Sequence, residues 1–148
     1  MSFAGTADDG YYYIKEVPVG LSERRKIKEL QEKTFPERTR ELEEITGSPI
    51  VYEVDWASFE NDLEGLNFLD NLSCHRTNMA LRVICADALG KEAVRDGLKT
   101  IKLTNVKGKG DMSITFSGGV LDMKCAYALR TEGMFSDTVI RNVLMKGL

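Results

Sequence analysis

Ser117-Gly118-Gly119-Val120 sits between two runs that alternate apolar and polar residues, and it constrains the fold more than any other stretch. A two-residue hairpin needs positive φ at both central positions, and a glycine pair meets that demand without steric penalty. The pattern extends upstream, so Thr100–Val106, Met112–Ser117 and Val120–Tyr127 read as a three-strand meander. Ile101, Leu103, Met112, Ile114, Phe116, Leu121, Met123, Cys125 and Tyr127 then share one face. Lys102, Ser113, Thr115, Asp122 and Lys124 occupy the other. Lys107-Gly108-Lys109-Gly110-Asp111 is a longer turn; it precedes a strand rather than a helix, so it is no phosphate-cradling loop.

A fourth strand lies at Ile50–Trp56, where Ile50, Tyr52, Val54 and Trp56 face one way and Val51, Glu53 and Asp55 the other. A fifth is Tyr11–Val17, ended by Pro18, which suits a sheet edge. Helices fill the remainder. Ser22 reads as the cap of the first, and Thr34-Phe35-Pro36-Glu37 has capping-box spacing for a second that stops at Gly47. Ser58 caps a third carrying Phe59, Leu63, Leu66 and Leu69, and Asn71-Leu72-Ser73 offers a break. Cys74–Leu89 is the most apolar helix, with Met79, Ala80, Val83, Ile84 and Ala88 at helical spacing, and is expected at the centre of the core. Gly90 separates it from a short helix, and a last one begins at Ser136-Asp137.

The economical solution is an α+β two-layer sandwich, a mainly antiparallel sheet of four or five strands covered on one face by helices. At 148 residues the chain suits one domain, expected over 11–148 behind a loose tail at 1–10.

Charge is sorted along the chain rather than in excess. Net charge is −3, yet from Glu41 to Cys74 there are nine carboxylates and no lysine or arginine. Such a field asks for a positive complement, either Lys99, Lys102, Lys107 and Lys109 within the molecule or a basic protein outside it. Glu60, Asp62 and Glu64 are the acids expected to meet such a partner. No strongly basic face is implied, which argues against nucleic-acid binding. The longest mainly apolar stretch is too short and too charged for a membrane span.

Signals for catalysis are weak. His75 is the only histidine, and Cys74 diverges from it by about 100° on a helix, so the two do not form a nucleophile–base pair. Glu53 and Asp55 project from one strand face and could hold a hard cation or split their proton affinities, although pairing with Lys102 or Lys124 is the simpler reading. Cys74, Cys85 and Cys125 match no disulfide framework and lack the Cys-x₂-Cys spacing of a zinc site. No metal and no cofactor is called for. A reduced, cytoplasmic protein follows most simply.

These features point to a small non-catalytic interaction module with an acidic surface, binding a basic protein or itself as a homodimer through the aromatic edge at Tyr11–Tyr13. The alternative is an enzyme or small-molecule binder with a pocket between sheet and helices, in which Glu53, Asp55 and His75 are the polar participants.

Overall fold

The hairpin organises the sheet. In the computed structural model, which describes residues 20–148, Gly118 and Gly119 have φ of 59° and 81°. They join strand β3 (Ser113–Ser117) to β4 (Val120–Cys125), with Phe116 opposite Leu121 and Ile114 opposite Met123. The proposed tail at 1–10 and the proposed strand at Tyr11–Val17 lie outside the described residues.

The fold is α+β, but the sheet is mixed rather than mainly antiparallel. Strands β1 (Val51–Val54) and β2 (Thr100–Asn105) are parallel, β2 is parallel to β4, and only β3–β4 is antiparallel; the order is β1-β2-β4-β3. The expected meander is therefore wrong. Alternation sets which face a side chain takes, and it leaves neighbour order open. Order follows burial. Leu121, Met123 and Cys125 of β4 are fully buried, whereas Ile114 and Phe116 of β3 are only half-buried. The more apolar strand takes the centre, and the connection through Lys109–Asp111 carries β3 one place outward. Parallel β1 and β2 need a long crossover, which the helices between them supply.

Helix α1 (Leu21–Glu29) is capped at Gly20 and runs without interruption into α2 (Phe35–Thr46) through a π-turn at Leu30–Thr34. Ser22 and Thr34 are thus not caps. Pro36 has no N–H for the carbonyl of Glu32, and the chain widens by one residue there, with Phe35 N bonding Leu30 O, instead of stopping. Gly47, at φ 72°, ends α2 as expected. After a 3₁₀ turn at Trp56–Phe59, α3 (Leu63–Leu69) is capped by Asp62, not Ser58. A second π-turn, Asp70–Cys74, leads into α4 (His75–Ile84). The expected helix to Leu89 ends five residues early. A turn capped by Asp87 starts α5 (Ala88–Gly97), with Gly90 inside its first turn. Ser136 caps α6 (Asp137–Gly147).

The helices cover one sheet face. Ile101, Leu103, Leu121 and Met123 meet Leu66, Leu69, Leu81 and Ile140 in one apolar cluster. An aromatic chain runs along its margin: Tyr52 to Phe35 at 5.8 Å, Phe35 to Trp56 at 5.6 Å, Trp56 to Phe59 at 6.4 Å, and Phe59 to Tyr127 at 5.4 Å between ring centres. The other sheet face is open to solvent, where Lys102 stands in register between Glu53 and Asp122. No described helix is long and apolar enough to cross a membrane.

Candidate functional site

Helix α4 has two outward sides, and each borders a concavity. On the first, α2, the second π-turn and α4 enclose a polar cleft of about 460 Å³. Arg38 of α2 forks onto Asp70, Nε to Oδ1 at 2.8 Å and Nη2 to Oδ2 at 3.1 Å, the bidentate geometry a guanidinium is built for. Its Nη1 also donates to Glu41 Oε1 at 3.0 Å. Glu41 accepts from Asn78 Nδ2 at 2.7 Å and from Arg82 Nη2 at 3.0 Å. Tyr52 reaches across from β1 and donates to Asn78 Oδ1 at 2.6 Å.

Electrostatics follow from this wiring. The amide of Asn78 and then the guanidinium groups hold Glu41 below its ordinary proton affinity, while Asp70 raises that of Arg38. Burial pushes the Tyr52 hydroxyl up. The cleft's inner charges therefore spend their hydrogen bonds on one another. They tie the second π-turn, through Asp70, to α2, and α2 to α4.

A second polar knot lies deeper. Ser73 and Tyr127 share a short hydrogen bond between hydroxyls, beside Cys125. Burial raises the Cys125 thiol to about 11 and pushes Cys74 well above its usual value. Fully buried thiols that keep their protons act as small apolar side chains.

The opposite side of α4 is different in kind. Val83 and Ile84 of α4, Leu89 and Ala93 of α5, and Met145 and Leu148 of α6 border an apolar groove of about 750 Å³. Val83 is 52% exposed, Leu89 77% and Met145 59%. Asp87 and Arg141 flank the groove, and neither has an ion-pair partner among the described residues.

The residues singled out from the sequence fall elsewhere. His75 is exposed at the start of α4, in the helical layer. Glu53 points from the open sheet face, and Asp55 lies beyond the end of β1, its N–H bonded to Leu103 O at 2.9 Å. Tyr52, the neighbour of Glu53, reaches α4, so Glu53 faces away from His75; no hydrogen bond or ion pair joins the three. Among the described residues no group of three or more His, Cys, Asp or Glu could hold a metal.

The acidic run is partly neutralised, by arginines and not by the expected lysines. Glu41 and Asp70 pair as above, and Glu64 meets Arg130 Nη2 at 2.7 Å. Asp62 caps α3 at Gly65 and accepts from Asn105 Nδ2 at 2.8 Å. Glu60 is exposed and has no such partner among the described residues. The spacings Arg38/Glu41 and Asn78/Arg82 were the only local hints of the cleft. The groove was concealed because Met79 and Val83 read as core, whereas α4 buries Thr77, Asn78, Ala80 and Leu81.

No protein-family model matches this sequence, and neither a curated protein nor a solved structure matches it.

Proposed function

We propose that this chain is a small non-catalytic interaction module whose contact face is the groove between α4, α5 and α6. The observation that supports this reading is the exposure of Val83, Leu89 and Met145 side by side around one concavity. Single exposed apolar residues are ordinary, whereas a clustered set contributed by three elements is what a contact surface requires. The cleft supports the reading by contrast, since its inner charges are already paired. Unpaired thiols at Cys74, Cys85 and Cys125 favour a reducing, cytoplasmic setting.

A basic protein meeting the acidic run is a second reading, favoured by the exposed, unpartnered Glu60; Asp62 and Glu64 would first have to leave Asn105 and Arg130. The enzyme alternative loses ground because the space between sheet and helices is filled by the core cluster.

A photo-reactive side chain placed at Leu89, and separately at Glu60, in the full chain within a cell extract tests the choice. The groove reading expects discrete covalent adducts from Leu89 and none from Glu60. Adducts from Glu60 alone, or from neither position, would overturn it.

A further inference from the structure

Resting on the groove as contact face, we propose that its occupant is a second copy of this chain, docked about a two-fold axis. Leu89 of each protomer would enter the partner's groove, and Asp87 would face the partner's Arg141.

Three observations converge on self-recognition. The surface carries both a projection and a recess: Leu89 is 77% exposed, at the rim of a groove of about 750 Å³ floored by Ile84 and Ala93. A two-fold contact needs this, because one patch must be complementary to itself. Next come the charges. Asp87 stands at the α4–α5 junction and Arg141 on α6, with opposite signs and no ion-pair partner among the described residues. A foreign partner would have to bring a matched pair, whereas a second copy carries it, and one two-fold rotation forms the ion pair twice. Finally, Gly90 and Ala93 add no long side chain to the groove's lining, which leaves it open to an entering side chain.

Size sets the strength. Nine residues border the groove, fewer than the roughly 20–30 per side of a standard stable interface. The dimer should therefore be a concentration-dependent one, with a dissociation constant of about micromolar or weaker.

Sedimentation equilibrium on the purified full chain tests this with three variants. Wild type should shift from monomer to dimer with concentration, and Leu89→Lys should weaken that dimer by about tenfold or more. Asp87→Lys and Arg141→Glu should each be monomeric, since each alone sets like charges against like across the axis. Mixing these two should restore a dimer, because the introduced lysine then meets the introduced glutamate, while the Arg141 kept by one variant meets the Asp87 kept by the other. Recovery on mixing cannot arise from misfolding. Asp87→Lys also removes the α5 cap on Gly90, so if it fails to fold, Leu89→Lys still decides the matter. A wild type that stays monomeric, a dimer indifferent to Leu89→Lys, or a folded pair that does not recover on mixing would overturn the proposal. A monomeric wild type that nevertheless gives Leu89 adducts to another protein removes the second copy and keeps the contact face. Absence of all Leu89 adducts removes the contact face itself.

Discussion

The two sides of helix α4 solve opposite problems. Toward α2 it presents Asn78 and Arg82 to a cleft in which the inner polar groups have found partners. Toward α6 it presents Val83 to a groove whose apolar groups have found few. Buried polar groups cost free energy unless paired, so a cleft whose inner charges are paired reads as structure. Exposed clustered apolar groups cost free energy until something covers them, so the groove reads as function. On the proposed reading, richness in charged side chains is a poor guide to where this molecule acts.

The sharpest way to break that contrast lies within α4 itself. Leu81 is fully buried, so Leu81→Ala should cost about 2–5 kcal/mol through transfer and cavity terms. Val83→Ala, two residues on, should stay within about 0.5 kcal/mol, as should Leu89→Lys. Urea midpoints on the three variants decide, and a large loss at Val83 or Leu89 would show the groove to be core.

The cleft should respond next. Asp70→Ala leaves Arg38 without its forked partner and frees the second π-turn, at an expected cost of about 1–3 kcal/mol. Replacing both partners, Arg38→Met with Asp70→Leu, should recover much of that loss. Equal stability of the single and double variants would show that the loss does not come from leaving Arg38 without its partner.

Reversal of Glu60, Asp62 and Glu64 to lysine separates the acidic run from both regions. The loss of the Asp62 cap and of the Arg130 contact should cost about 1–2 kcal/mol, most of it at Asp62. Self-association should be unchanged. Unaltered stability with weakened association would return the acidic surface to the leading position.

The smallest effects are in pH. Glu41 is held below its usual proton affinity, so its contribution is present above about 4.5 and is lost as pH falls through its lowered folded value. The Cys125 thiol is raised, so stability should be level below about 9 and decline as pH rises toward about 11, where the folded state gives up its proton. Denaturant midpoints across both limbs check the signs. Asn78→Ala should flatten the acid limb by removing the main donor to Glu41.

What the sequence showed and hid follows from the same physics. Alternation assigned the faces of Ile101, Leu103, Leu121 and Met123 correctly, and the glycine pair fixed the hairpin, because both are local. Strand order was not local. It depended on β4 being more apolar than β3, and on a connection long enough to pass it. The helix breaks expected near Pro36 and Leu72 exist only as π-turns, since the tertiary contacts of Leu30 and Cys74 keep the chain helical through them. The rotation of α4 escaped periodicity altogether. Asn78 and Thr77 look like surface residues until Tyr52 and Glu41 arrive from elements 26 and 37 positions away to meet Asn78.

Hydrogen exchange of the full chain, followed at low and at high protein concentration, tests the central claim most directly. The account predicts slower exchange with concentration in α5, at the end of α4 and along α6, while α2, the second π-turn and the acidic run keep their rates. Concentration-dependent protection at Glu60–Glu64, or rates in α5 and α6 that never change, would contradict it.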